Sequence, residues 1–132
     1  MTQEKKLLLE DLCNRLSYGV KCNVGEETPY TLSGIEIDDV NGHLFDFVEK
    51  KNGLNMQVYL SEVKPYLFPL SSMTDELKEE YQCLLDNQYS FDANGNIFTL
   101  QDFYCKYHID YRGLIEKGLA IDATNTNIYD ND

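Results

Sequence analysis

Tryptophan is absent from this sequence, proline occurs only three times, and basic residues are scarce. Eleven Lys and Arg stand against 23 Asp and Glu, which gives a formal net charge of −12 at pH 7. A field of this sign repels the phosphates of nucleic acids and the anionic headgroups of membranes. We therefore expect no direct contact with nucleic acid or membrane. We expect instead a protein partner whose contact surface is basic or apolar.

Long apolar runs are also missing. No stretch approaches the roughly 20 residues of a membrane span, and the first residues lack the apolar segment of a signal peptide. The cysteines include no Cys-x-x-Cys pair and lie among apolar residues. They are therefore predicted to be buried, reduced thiols, at Cys13, Cys22, Cys83 and Cys105. Together these features predict a soluble, cytoplasmic protein.

The sequence does contain enough apolar material for one folded domain. Its 132 residues are 42% hydrophobic and 12% aromatic, and ten of them are tyrosine. A chain of this length buries about two thirds of its unfolded surface around a single core. Residues 125–132 form an acidic tail without a sustained pattern. We place the globular domain at residues 1–124 and expect the tail to fray.

Hydrophobic periodicity predicts an α+β fold. A first helix, capped by Thr2 and ended by Gly19, has one apolar face and turns Asp11 outward. Residues 20–24 alternate as a short strand. Residues 30–60 alternate between Asn-Gly turns, which is typical of a three-stranded antiparallel meander. We predict a small antiparallel β-meander of three to five strands, with one helix before it and helices after it packed on one face.

The register of the meander follows from which residues share a face. A tight turn at Asn52-Gly53 and a three-residue loop at Val40–Gly42 both place Phe45 in the middle of the buried face. The predicted pairs are Ile37 with Phe45, Ile35 with Phe47, Phe47 with Val58, and Phe45 with Leu60. Ser33-Gly34 is predicted to form a bulge, because the apolar residues before it have the opposite parity.

Helices are predicted after the meander. Ser72 with Asp75 forms a capping pattern for a helix whose inward face comprises Leu77, Tyr81, Leu84 and Leu85. Thr99 caps the densest aromatic segment, in which helical spacing joins Leu100, Phe103, Tyr104, Tyr107 and Tyr111. Asp110 caps a short third helix that contains Leu114 and Ile115 and ends at Gly118.

The aromatic segment also contains the weak catalytic candidates. A continuous helix makes Cys105 and His108 neighbours, and Asp110 is close enough in sequence to orient the imidazole. A nucleophilic cysteine needs an exposed, electropositive setting, and zinc needs at least one further thiolate or imidazole. We therefore favour a structural role for the pair. A small enzyme or metal-binding protein centred on it is the alternative.

Two further segments are candidate binding sites. The apolar string Tyr66-Leu67-Phe68 lies between two prolines and is predicted to be an extended connection at the core edge, with a surface groove as the alternative. Arg112 stands next to a predicted helix start, where a guanidinium and free amides can bind an anion. Internal pairing of Arg112 with a carboxylate is the favoured interpretation.

One segment resembles part of a calcium loop. Asp92-Ala-Asn-Gly-Asn96 has oxygen ligands at alternate places, but Ile97 and Phe103 occupy the places that need Gly and Glu. A plain hairpin turn, with Phe91 opposite Phe98, is the favoured interpretation. The sequence has no Gly-rich phosphate loop, no nucleophile elbow and no paired acidic motif. We therefore predict no cofactor and no metal.

Two strings stand out in the sequence. They are Lys64-Pro-Tyr-Leu-Phe-Pro-Leu-Ser-Ser-Met-Thr74 and His108-Ile-Asp-Tyr-Arg-Gly-Leu-Ile115, and Leu7-Leu-Leu-Glu-Asp-Leu-Cys13 stands out with them. With them the chain resembles short uncharacterised proteins encoded by phages and mobile elements of Bacteroides-type gut bacteria. The resemblance covers most of the chain and implies a genomic context without an activity. The favoured hypothesis is a non-enzymatic accessory or protein-interaction protein. An acidic nucleic-acid mimic is a further alternative.

Overall fold

The computed structural model describes residues 2–38, 42–49 and 52–129. In chain order the elements are α1 (Gln3–Arg15), β1 (Lys21–Asn23), β2 (Tyr30–Asp38), β3 (Gly42–Val48), β4 (Asn55–Tyr59), β5 (Lys64–Pro69), α2 (Asp75–Asn87), β6 (Tyr89–Phe91), β7 (Ile97–Thr99), α3 (Leu100–Lys106), β8 (Ile109–Asp110) and β9 (Ile121–Asp122). Short 3-10 turns follow α1, β4 and β5. None of the helices in these ranges has the length and hydropathy of a transmembrane span.

Seven of the strands form one mixed sheet with the order β4-β3-β2-β1-β5-β8, and β9 also pairs with β5. The predicted meander is present as β2, β3 and β4, and β1 and β5 extend it with antiparallel pairs. Strands β8 and β9 instead pair parallel with β5. The α+β class is confirmed, but the sheet is mostly antiparallel and not a simple meander.

Strand β5 replaces the extended connection predicted at the core edge. Pro65 and Leu67 are fully buried, and Pro65 lies opposite Cys22 of β1. Proline usually excludes a segment from an inner strand because it lacks a backbone N–H donor. Here the continuous apolar run from Pro65 to Phe68 is typical of a strand that is covered on both faces. The prediction that this segment is a connection at the edge of the core was therefore wrong.

The register of the meander differs from the predicted one by two residues, and by three where Phe47 pairs with Leu32 on the far side of the bulge. Phe45 pairs with Ile35 and Val58, whereas Phe47 pairs with Leu32 and Met56. The β3–β4 connection is closed by the Glu49 N–H, which donates to the Leu54 carbonyl (2.7 Å), and not by a tight two-residue turn. Because the displacement is even, and the extra residue of the bulge offsets the odd one, the side chains keep their faces, and Phe45 and Phe47 are both buried.

The first connection of the meander lies mostly outside the described residues. The predicted loop at Val40–Gly42 falls mostly on residues outside the described ranges. Gly42 itself pairs with Asp38, and Ile37 pairs with His43 and not with Phe45. The predicted bulge is confirmed, since the register shifts between Leu32 and Gly34.

At the bulge, a Cβ on Gly34 would lie 3.0 Å from Asp46 Oδ2. The bulge also returns Tyr30 and Leu32 to the buried face.

Helix α1 begins as predicted. The Thr2 hydroxyl accepts the Lys5 N–H (3.1 Å), and Gly19 has the left-handed conformation after the following 3-10 turn (φ 69°). Leu8 and Leu12 are buried against the sheet. Asp11, predicted to face outward, is completely buried. Its basic partners are Arg15 on the same helix and Arg112 from a distant segment, which are described below.

Helices α2 and α3 form a second apolar cluster around Leu84, Phe103 and Ile109. Helix α2 is capped by Thr74, whose hydroxyl accepts the Leu77 N–H (3.2 Å). Ser72 is not the predicted cap, because its hydroxyl donates to the Pro69 carbonyl instead (2.7 Å). Leu85, predicted to face inward, is 46% exposed.

Helix α3 has the predicted capping box of Thr99 and Asp102, but it is shorter than predicted. It ends at Lys106, and His108 has a left-handed backbone (φ 57°). The Phe68 N–H then donates to the His108 carbonyl (2.8 Å), and the chain pairs with β5. Tyr111 is therefore not part of the helix.

The predicted third helix is a series of turns. The Asp110 carboxylate still organises them, since it accepts the N–H groups of Leu114 (2.9 Å) and Ile115 (3.0 Å), and Gly118 is left-handed (φ 74°). The third-helix prediction was therefore wrong, and Asp110 binds the N–H groups of a turn and does not cap a helix.

The cysteines divide into two classes. Cys22 and Cys105 are buried as predicted, whereas Cys13 and Cys83 are exposed on α1 and α2. All four are free thiols. The apolar neighbours of Cys13 and Cys83 in the sequence lie on other sides of their helices, because adjacent helical residues point about 100° apart.

Candidate functional site

The structure separates the roles of Cys105, His108 and Asp110. Cys105 lies on the buried side of α3 and is 1% exposed. Burial raises the pKa of its thiol above the ordinary value, against the lowering influence of the nearby Arg15 guanidinium. The Asp110 carboxylate is occupied by the backbone N–H groups of Arg112, Leu114 and Ile115. A shielded, protonated thiol is a poor nucleophile.

His108 lies instead in a cleft of about 480 Å³, which we call the His108 cleft. Its apolar wall comprises Phe68, Met73, Leu77, Tyr107, Ile109 and the ring of Tyr129. Its polar rim comprises Ser72, Thr74, Lys106, Thr124 and Asn125. The cleft is thus assembled from the end of β5, the start of α2, the end of α3 and the segment after β9.

Tyr129 connects the segment after β9 to the sheet. Its ring stacks on His108, with 3.8 Å between the ring centres and 11° between the planes. Its hydroxyl accepts the Lys21 N–H (2.9 Å) and donates to the Tyr66 carbonyl (2.8 Å). Residues 125–129 belong to the predicted tail, and these bonds hold their last residue against β1 and β5. For residues 130–132, outside the described ranges, fraying stays a prediction.

The surface groove was the alternative interpretation of Tyr66-Leu67-Phe68, and Phe68 is the residue of the three that lines the His108 cleft. Tyr66 is 8% exposed and Leu67 is completely buried, so both belong to the core of the sheet. Phe68, one residue nearer the end of β5, lines the His108 cleft, and its ring centre lies 5.9 Å from that of Tyr129.

Arg112 pairs internally, as the favoured interpretation predicted. Its Nε lies 3.2 Å from Asp11 Oδ1, at ion-pair distance, and its Nη1 lies 3.6 Å from Glu10. Arg15 completes the group from the same helix, because its Nε donates to Asp11 Oδ2 (2.7 Å). Burial raises the pKa of the Asp11 carboxyl, and the two guanidinium groups oppose that shift.

This buried ionic group was not found from the sequence. Arg15 also donates to the carbonyls of Tyr104 (3.4 Å) and Ile109 (2.6 Å), which are distant in the chain. The stacked rings of Tyr104 and Tyr111, 4.5 Å apart, lie beside the two arginines. The one local signal was the i, i+4 spacing of Asp11 and Arg15, which is more often found on a solvent-exposed helix face. The group joins α1 to residues 104–112 and is structural.

Strands β6 and β7 form a separate hairpin with an apolar outer face. Phe91 pairs with Ile97, and the rings of Tyr89 and Phe91 make an edge contact at 5.6 Å. Tyr89 is 49% exposed, Phe91 63% and Ile97 64%. Phe98 pairs with Ser90 on the other face and packs on the second cluster, so the predicted pairing with Phe91 was wrong. We call Tyr89, Phe91 and Ile97 the apolar hairpin.

The turn of this hairpin contains the calcium-like string. Asp92 Oδ1 accepts the N–H groups of Asn94 and Asn96, both at 2.9 Å, and Gly95 is left-handed (φ 82°). These are the features of the hairpin turn that was favoured. Among the described residues, no group of three or more His, Cys, Asp and Glu side chains is placed to hold a metal ion.

Comparisons of the chain with protein-family models, with curated proteins and with solved structures found no match. The resemblance to proteins of phages and mobile elements therefore stays a prediction, and the functional argument rests on the surfaces described above.

Proposed function

We propose that the protein is a non-enzymatic interaction protein and that the apolar hairpin is its contact surface for another protein. The observation that carries the proposal is the exposure of Tyr89, Phe91 and Ile97 on one face of a two-stranded sheet. A hairpin at a protein surface normally has its apolar face on the core and its polar face toward water. Here Phe98 on one face packs on the second cluster while the other face exposes Tyr89, Phe91 and Ile97, and a contiguous exposed apolar patch is typical of a protein-binding site.

The charges around the hairpin indicate the chemistry of the partner. The segment 75–99, which comprises α2 and the hairpin, contains six acidic residues and one basic residue, Lys78. A partner that covers the hairpin therefore needs an apolar centre with basic residues at its rim. A second copy of the same chain is a poor occupant, because each copy has a net charge of −12 and the same excess of acidic residues in the segment 75–99.

The proposal also includes the origin of the protein and its place in the cell. We infer a cytoplasmic accessory protein of a phage or mobile element, which acts on a protein and not on nucleic acid or a membrane. The burial and raised pKa of Cys105 count against an enzyme centred on Cys105 and His108. No specific observation favours an acidic nucleic-acid mimic.

The test compares two sets of surface variants. Phe91→Ser combined with Ile97→Ser removes two of the three side chains of the apolar hairpin. Leu54→Ser is the matched control, because Leu54 is also an exposed apolar residue (55%) and lies on a different hairpin. Proteins captured from a host lysate by the wild type are identified, purified and titrated against all three forms. We expect wild type and Leu54→Ser to bind with the same affinity and the double variant to lose at least about 10-fold.

Salt dependence and oligomeric state complete the test. Association with a basic-rimmed partner should slow as salt rises, because charges are screened over about 10 Å at 0.1 M ionic strength. An unchanged affinity of the double variant would contradict the proposed surface. A dimer in light scattering that dissociates on Phe91→Ser would show that a second copy is the occupant, and it would contradict the proposed partner.

A further inference from the structure

We propose that the His108 cleft binds a small aromatic carboxylate. This site is separate from the apolar hairpin and does not depend on the proposed protein-binding function. Its volume of about 480 Å³ is within the roughly 300 to 1,000 Å³ of small-molecule sites, which are mostly apolar with a few polar groups. The cleft has this composition, and it lies where β5 ends beside its parallel partner β8.

Aromatic side chains make the cleft suitable for a planar ring. The parallel stack of His108 and Tyr129 stands beside Phe68, whose ring centre is 5.9 Å from that of Tyr129. Met73 adds a polarisable thioether to the same wall. Offset and edge contacts among such groups favour a flat aromatic body over a branched aliphatic one.

The charge of the cleft indicates an anion. Asp and Glu make up 23 of the 132 residues, so about two would be expected among any twelve. None of the twelve described residues that line the cleft has a carboxylate, and Lys106 contributes an ammonium group. The Glu80 carboxylate accepts the Tyr107 hydroxyl (2.9 Å) but is not among the lining residues. Lys106 is therefore the one formally charged side chain among the described lining residues, and its charge is the sign that a carboxylate needs.

Lys106 is positioned to bind the carboxylate. Its Nζ lies 5.1 Å from the centre of the Tyr107 ring, which lines the cleft, and 5.6 Å from that of the Phe98 ring, and the residue is exposed. The hydroxyl of Thr74 accepts the Leu77 N–H, which leaves its own proton for a second acceptor in the cleft. We therefore place the ring against Phe68 and His108 and the carboxylate between Lys106 and Thr74.

The experiment uses three probes of similar shape and different charge. The full-length protein is titrated with 2-naphthoate, with the neutral 2-naphthamide and with the cationic 2-naphthylmethylammonium, and binding is followed by calorimetry and by amide chemical shifts. We expect 2-naphthoate to bind most tightly, with shifts concentrated at Phe68, Leu77, Lys106 and Thr124. Shifts confined to Tyr89, Phe91 and Ile97 would place the probe on the apolar hairpin and overturn the cleft assignment.

Variants then test separately how the charge and the shape of the His108 cleft affect the binding of the probes. Lys106→Gln should weaken 2-naphthoate by about 5- to 10-fold and leave 2-naphthamide unchanged, and Lys106→Arg should restore most of the loss. Thr124→Trp places a bulky ring at an exposed position on the rim and should weaken both probes. Lys5→Gln is the matched control, since Lys5 is exposed on α1 and does not line the cleft.

Two results would contradict the proposed cleft ligand. Equal affinity for naphthoate and naphthamide, together with no effect of Lys106→Gln, would overturn the assignment of an anionic ligand. No binding of any probe at millimolar concentration to a protein with a native circular dichroism spectrum would overturn the site itself. Neither outcome affects the capture experiment on the apolar hairpin, so the two proposals can fail separately.

Discussion

Arg15 Nε donates a hydrogen bond of 2.7 Å to Asp11 Oδ2, and both side chains are completely buried. The pair connects α1 to a segment more than 85 residues later, because Arg15 also donates to the carbonyls of Tyr104 and Ile109. Taking charges out of water is costly, and the opposite charges offset that cost here: Asp11 Oδ2 accepts from Arg15, and Asp11 Oδ1, which has no hydrogen bond, lies 3.2 Å from Arg112 Nε. The relationship between these two residues therefore determines how α1 is attached.

Removal of one partner of this pair should be strongly destabilising. We expect Asp11→Ala and Arg15→Met each to lower the free energy of unfolding by about 3 to 5 kcal/mol, because the first leaves the buried Arg15 without its carboxylate and the second leaves Asp11 without its hydrogen-bonded basic partner. The double variant should lose less than the sum of the two. Urea unfolding measures all three. Glu10→Ala is the control: it removes the exposed contact of Glu10 with Arg112 at 3.6 Å and should cost at most about 1 kcal/mol. Additive losses would show that the pair is not coupled.

The sheet core provides a second prediction. Phe45 is completely buried between β2 and β4, and Phe45→Ala should lower the free energy of unfolding by about 3 to 5 kcal/mol. Phe91→Ala removes the same atoms from a side chain that is 63% exposed, so the change should be within about 0.5 kcal/mol. Thermal or urea unfolding of the two variants gives the comparison. Similar losses at both positions would contradict the described packing of β3.

The thiols should react in two classes. Cys13 and Cys83 are exposed, whereas Cys22 and Cys105 are buried, and burial raises the pKa of both buried thiols. Alkylation at neutral pH, followed by mass spectrometry, should modify Cys13 and Cys83 first and the other two only on unfolding. The denatured protein is the control, in which all four should react at similar rates. A native Cys105 that reacted first would revive the enzyme alternative.

Tyr18 should make stability depend on pH in the alkaline range. Burial, together with the hydrogen bond of 2.8 Å to Asp102, raises the pKa of Tyr18 to about 12. Because the folded pKa exceeds the unfolded value of about 10, this contribution is complete below pH 10 and is lost as pH rises from 10 to 12. The difference in unfolding free energy between wild type and Tyr18→Phe should therefore shrink across that window. A constant difference from pH 8 to 12 would contradict the raised pKa.

Much of the local structure could be predicted from the sequence. The caps at Thr2 and Thr99, the helix end at Gly19 and the bulge before Gly34 all appear as predicted. Each depends on residues no more than about four apart, or on the face parity of one strand, so the information lies within a short window. The same reasoning identified Phe45 and Phe47 as core residues even though their partners were misplaced by two positions, or by three across the bulge, because an even displacement preserves the face and the extra residue of the bulge offsets the odd one.

The candidate site was predictable only in part. His108 was predicted to be a helical neighbour of Cys105. Because α3 ends at Lys106, the two side chains lie in different surroundings. Helical spacing alone favoured a helix through Tyr111. The competing interaction is the parallel pairing of Ile109 with Phe68, about 40 residues earlier, and a two-residue strand has no periodicity of its own.

The sequence by itself determined the α+β class, the faces of the meander and the helix starts at Thr2 and Thr99, because these follow from local hydrogen bonds and from the spacing of apolar residues. Only the tertiary structure decided that β5 is an inner strand, that Asp11 is buried and that Tyr129 completes the His108 cleft. Each of these depends on a partner distant in the chain: β8 and β9 for β5, Arg112 for Asp11, and Tyr66 for Tyr129. Pairings of this kind are selected by the free energy of the whole packed chain, in which no short segment contains the deciding interaction.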